Sequence, residues 1–368
     1  MSSNFQRLLN KGLLNTPPKF LKNSDSIQLE ILTGSVAYGV SNDTADMDIY
    51  GVCIPPLEMM FPHLDGEIPG FSKQNKRFEQ FQQHHILNKD EGKEYDITVY
   101  NIVKYFKLCM DNNPNMIDSI FVPERCVLYK TRIGDMIREN RHIFLHKGSW
   151  HKFKGYAYSQ LNKMKNKRQH AKYLHQIEEK YSIPHDLSYV EADSFISGRE
   201  NNLTKEYTNG LRKLSDGSKG TLQKYLENLN LFDNDPEQSE RDVNTRIYSL
   251  DPKFAYHVVR LLEEAEQLLI EGDLDLQKNR EQLKFIRNAN WSEDDIERYF
   301  NEKTSQLEEV YTSSKLQYSP DEEKIKELLL NCIEEYHGSV DMSSAVKKQD
   351  ETQQMVKDLE EIVEKYKR

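Results

Sequence analysis

Apolar and polar positions first alternate clearly at residues 27–39, IQLEILTGSVAYG, where Ile27, Leu29 and Ile31 are separated by polar residues. That is the period of a half-buried strand. The strand runs into Gly34-Ser35. A polar turn, SNDTAD, follows, and then a second apolar strand, MDIYGVCI, stopped by Pro55-Pro56. Residues 57–75 read as a loop. RFEQFQQHHIL and EYDITVYNI, separated by the turn-like NKDEGK, predict a β-hairpin with Asp96 in its second arm.

From about Asn101 the period changes. Ile102, Phe106, Cys109 and Met110 lie three to four apart, predicting a helix up to Asn112-Asn113-Pro114. Residues 116–175 look mostly helical. Residues 176–250 have few apolar positions and read as a polar insertion with short helices. Strong periodicity returns at SLDPKFAYHVVRLLEEAEQLLIEG. There Asp251 suits an N-cap, Pro252 the first helical position and Gly272 the stop. More helices are expected around 279–288, 292–311 and 320–336, and beyond Gly338 comes a charged tail. The expected organisation is a first domain over 1–135, a helical domain over 136–337 containing the insertion, and the tail 338–368.

A chain of 368 residues has room for two domains. It is polar, with 30% charged residues, but its 20 Tyr and 15 Phe argue against global disorder. No apolar run reaches the length of a membrane span, and the first residues lack a signal-peptide pattern. Cys53, Cys109, Cys126 and Cys332 are far apart and form no CxxC pair. They read as reduced, mostly buried thiols of a cytoplasmic protein, with no disulfide partner. The net charge of −10 is unevenly spread: residues 141–176 hold nine Lys/Arg and no acid.

The chemistry gathers in Gly-Ser-x10-Asp-Met-Asp. Side chains alternate along a strand, so Asp46 and Asp48 share a face, with backbones roughly 7 Å apart. Two such carboxylates suit a hard cation, Mg²⁺ or Mn²⁺, and a third on a neighbouring strand would complete a two-metal site. Asp96 fits that part; Glu94 has the same parity and competes for it. The Gly34-Ser35 turn offers backbone N–H groups and a hydroxyl to a phosphate. His84-His85 suggests a metal pair, but no third ligand stands at a diagnostic spacing.

Gly-Ser followed about ten residues on by Asp-x-Asp, with a later strand carboxylate, resembles the DNA polymerase β superfamily of nucleotidyltransferases. The string GSVAYGVSNDTADMDIYGVCIPP is more similar still to the predicted nucleotidyltransferases of bacterial and phage RNA-repair systems. DITVYNIVKYFKL, NNPNMIDSIF and KFAYHVVRLL fit that branch too. Tyr50 departs from the basic residue expected before Gly-Val. The resemblance implies an α/β nucleotidyltransferase domain, a small mixed sheet with flanking helices, followed by a mostly α-helical domain. It implies transfer of a nucleoside monophosphate from an NTP with release of pyrophosphate. Asp46, Asp48 and Asp96 would be the catalytic metal ligands, and Gly34 and Ser35 would hold the β- and γ-phosphates.

The second substrate is harder to read. In residues 141–176 cations interleave with Phe144, Trp150, Phe153, Tyr156, Tyr158 and Tyr173, as an RNA strand would require. Lys163, Lys165, Lys167 and Arg168 are the densest part. Tyr38, and Lys253, His257 and Arg260 on one helix face, are candidate nucleotide contacts. RNA is therefore the expected acceptor. The alternatives are a protein or small-molecule acceptor, or a non-catalytic RNA-binding, antitoxin-like module.

Overall fold

The computed structural model describes residues 3–23, 25–41, 46–60, 77–183, 192–193, 196, 220–227 and 251–338. Most of the loop expected at 57–75, most of the 176–250 insertion and the tail beyond Gly338 lie outside the described residues.

The strands are β1 (Ile27–Leu32), β2 (Met47–Cys53), β3 (Gln80–Asn88), β4 (Lys93–Asn101) and β5 (Val127–Lys130), ordered β3-β4-β2-β1-β5 in one sheet. β2 and β4 are parallel, and the other pairs are antiparallel. The first four strands lie where the alternation predicts them, and β3 and β4 form the expected hairpin. β5 falls in the stretch expected to be mostly helical. It adds to β1 as an edge strand.

β1 is buried at all six positions rather than half-buried, because both faces of the sheet around it are covered. Its polar residues are satisfied in place. The Gln28 side chain donates to the Asp25 carbonyl and accepts from the Thr131 hydroxyl. Glu30 accepts the N–H groups of Asn4 and Phe5 at the start of α1 (Asn4–Asn10). Glu30, Gly51, Val99 and Phe81 form one row across the four strands, and Phe5 of α1 packs edge-on against Phe81. The opposite face carries Tyr50 and Tyr100, and Tyr105 extends that ring cluster.

A one-turn helix, α2 (Gly34–Ala37), follows β1, and another, α3 (Leu57–Met60), follows β2. Tyr105 belongs to α4 (Ile102–Met110), capped by the Asn101 side chain; α5 (Pro114–Phe121) is capped by Asn113 and has Pro at its first position. α6 (Arg132–Glu139) comes so close to β1 that a Cβ on Gly134 would lie 2.7 Å from the Gln28 carbonyl oxygen. The remaining long helices are α7 (Gly148–Tyr181), α8 (Pro252–Glu271), α9 (Arg280–Arg287), α10 (Glu293–Ser313) and α11 (Glu322–His337). The last four match the periodicity closely. Asp251 caps α8 through the N–H of Lys253, and Gly272 ends it at φ +63°.

The chain divides into two compact units. The first holds the sheet: Met1–Ser149, Gly272–Leu276 and the segment from Leu316, so α11 packs there, against α4 and α6. The second, helical unit comprises Trp150–Glu271 and Gln277–Lys315. All four cysteines are free and buried. No helix among the described residues is long and apolar enough to cross a membrane.

Candidate active site

The expected site residues of the first hundred positions meet at one end of the sheet. β1 ends there, while β2, antiparallel to β1, and β4, parallel to β2, both begin there. The backbone ladder continues one step beyond β1, with the Thr33 N–H donating to the Asp48 carbonyl at 2.9 Å. The chain then turns sharply at Gly34, whose φ of +64° favours glycine. A Cβ at this position would overlap Oδ2 of Asp48 and lie 3.2 Å from its Cγ. The missing side chain of Gly34 is therefore the space into which the Asp48 carboxylate fits. Ser35 follows, half-buried, and its carbonyl closes the turn by accepting the Val40 N–H.

Asp48 and Asp96 are direct register partners on parallel strands. Their side chains share a face, with backbones about 4.8 Å apart. Asp46 lies just before β2 with the same parity and is partly buried. Glu94, two residues before Asp96 on the same face, is held by Nδ1 of His85 at 2.6 Å. Both oxygens of Asp96 are held from β3. Oδ1 accepts the His85 backbone N–H and Oδ2 meets Nδ1 of His84, each at 2.8 Å. The histidine pair is visible in the sequence, but its partners are not. The β-bulge that brings both side chains against β4 carboxylates leaves no trace in residue spacing.

The fit of this site to a divalent cation rests on the donor set and on the Gly34–Asp48 contact. Carboxylate oxygens are what Mg²⁺ and Mn²⁺ prefer, and the missing Cβ of Gly34 lets one of them, Asp48 Oδ2, lie directly against the turn. Among the described residues no three His, Cys, Asp or Glu side chains come together as a ready-made metal cage. Mg²⁺ is usually held by one or two carboxylates plus substrate phosphates, which the Asp48–Asp96 pair matches.

Around this centre, Tyr50 is half-buried beside Tyr100, and desolvation of its phenol, with Tyr100, Asp48 and Asp118 nearby, pushes it far above the usual range. It stays a neutral hydroxyl where a basic residue was expected. Tyr38, a candidate nucleotide contact, is 4% exposed and donates its hydroxyl to Asp118 Oδ2 at 2.7 Å. It fixes α2 to α5. Arg125, which no sequence pattern marks, donates to the Val36 carbonyl at 3.1 Å and brings a cation to the turn. It stands about ninety residues away in sequence with no pattern around it.

The remaining candidates lie in the helical unit. Arg260 is buried and makes a two-oxygen ion pair with Glu264, while Lys253 and His257 sit on the same helix, α8. In α7, Lys165 pairs with Glu297, Lys167 with the buried Asp251, and Arg168 with Glu293. Lys163 is exposed. Three cations of the acid-free stretch are thus met by Asp251, the residue that caps α8, and by acids of α10.

No curated protein and no solved structure matches the chain. The family comparison does match: residues 21–184, which hold the Gly34 turn, the Asp48–Asp96 pair and β3, fit the RNA repair pathway DNA polymerase beta family.

Proposed function

We propose that the chain is a nucleotidyltransferase that moves a nucleoside monophosphate from an NTP to a hydroxyl of RNA. The acceptor oxygen attacks the α-phosphorus, the bond to the β-phosphate oxygen breaks, and pyrophosphate leaves. The observation that carries this reading is the placing of Asp48 between the Gly34 turn and its strand neighbour Asp96. Gly34 and Ser35 hold the terminal phosphates through backbone N–H groups and a hydroxyl, with the Arg125 cation close by. Asp46, Asp48 and Asp96 would hold Mg²⁺ or Mn²⁺, which when bound neutralises phosphate charge and makes the acceptor hydroxyl more acidic. Asp96 takes the proton that the hydroxyl loses.

RNA as the acceptor is supported by the family description. The α7 cations lend it less weight, since three of the four densest are matched by acids of their own unit. The test is incubation with each α-³²P-NTP, Mg²⁺ or Mn²⁺, and separate RNA, protein and small-molecule fractions. Label in RNA is the expected result. Label in protein or a small molecule moves the acceptor class, and no label with any NTP rejects the enzyme reading in favour of a binding module.

A further inference from the structure

The surroundings of Asp96 point beyond the three carboxylates. β3 and β4 change register between Gln83 and Ile86, so that His84 and His85 together oppose Asp96. His85 takes φ +54°, the left-handed conformation that turns its backbone N–H onto Oδ1. His84 reaches Oδ2. A ladder of side chains two residues apart on one face of β3 backs it up. The Gln80 amide donates to Oε1 of Gln82 at 3.0 Å, and the Gln82 amide nitrogen lies 2.5 Å from Nε2 of His84. With Gln82 donating, Nε2 is the acceptor and Nδ1 bears the proton that goes to Asp96. Every link runs in one direction, Gln80 to Gln82 to His84 to Asp96, although the glutamines and His84 lie on an exposed surface where water could serve each group equally well.

We infer that His84 is a positioning residue, oriented by Gln82, that fixes the rotation of the Asp96 carboxylate for the transfer reaction. A carboxylate offers about four lone-pair sites. Two are occupied from β3, and two remain for a cation or for the proton of the acceptor hydroxyl. Without His84 the group hinges on a single backbone N–H and rotates. Partners of this kind around a ligating group are typically worth 10–100-fold in metal affinity or activity. The inference rests on Asp96 serving the site as proposed above.

The test uses the full chain with label transfer from α-³²P-NTP to a 3′-hydroxyl RNA oligonucleotide, alongside Mn²⁺ binding read by electron paramagnetic resonance without turnover. His84→Ala is expected to lower kcat about 10–100-fold and weaken Mn²⁺ binding about tenfold, with the KM for NTP changed by less than about threefold. His84→Asn, whose amide N–H can stand near the place of Nδ1, is expected to recover most of both losses, and Gln82→Leu to reproduce part of them. A His84→Ala protein with wild-type kcat and Mn²⁺ affinity, or one more active than wild type, overturns the inference. So does His84→Asn performing no better than His84→Ala. Asp96→Asn is the control for the underlying reading: if it transfers label like wild type, the site assignment itself has failed and this inference falls with it.

Discussion

Glu30 is fully buried in β1, and its carboxyl caps α1 through two backbone N–H groups and Ser3. Burial outweighs those hydrogen bonds and pushes its pKa up to about 7, from 4.5 in the open chain. Between those values the native protein holds a proton that the unfolded chain has lost. Its stabilising effect is complete below pH 4.5 and disappears as pH rises through 7, amounting to about 3 kcal/mol. Glu30→Gln should flatten the fall in melting temperature across that window, and an unchanged slope would assign it to other groups. At the site, Asp46→Asn or Asp48→Asn should abolish transfer. Neither should melt below wild type without metal, since each removes one of several neighbouring negative charges; either keeping more than about a tenth of the activity would remove that carboxylate from the site. Gly34→Ala meets both a positive φ and the Asp48 carboxylate, so it should lower stability by about 1–2 kcal/mol and displace Asp48. Loss of transfer well beyond the loss of folded protein would distinguish the second effect. The shared parity of Asp46 and Asp48 was legible in the sequence. The choice between Asp96 and Glu94 was not, because parity is blind to register, and only pairing with β2 sets Asp96 beside Asp48.

Among the elements, those with a clear period, the first four strands and α8 to α11, were readable, and features made by pairing alone, β5 and the bulge in β3, were not. The stripe from Phe254 to Leu269 defines α8 unaided, and Asp251, Pro252 and Gly272 mark its ends. β5 is four residues with no alternation to detect; it is a strand because β1 offers it an edge. The bulge at His84-His85 likewise depends on what β4 presents. In α7, charge pattern shows where cations are and not what faces them. Lys167 and Asp251 form an ion pair with side chains 11% and 1% exposed, and Asp251 also caps α8. Asp251→Ala removes the cap and the carboxylate together and should cost about 3 kcal/mol or more in chemical denaturation. A loss below about 1 kcal/mol would show that the pair is solvated. Replacing Lys163, Lys165, Lys167 and Arg168 by Ala should therefore destabilise the helical unit as well as test RNA binding, so any change in affinity needs a stability measurement beside it.

At the scale of the molecule, the sheet unit is not contiguous in sequence. Its α4 and α6 are covered by α11, which buries Ile325, Leu328, Cys332 and Ile333. α11 is further tied by Arg132 to Glu335, and by His337, which donates Nε2–H to the Pro55 carbonyl. The family match stops at residue 184, well short of this helix. That return of the chain has a consequence for synthesis. Gly34, Asp46, Asp48 and Asp96 are made early, yet α11, which covers α4 and α6 of the same unit, emerges only after the whole helical unit. A chain made only as far as the helical unit thus carries Gly34, Asp46, Asp48 and Asp96 on a sheet unit that still lacks α11.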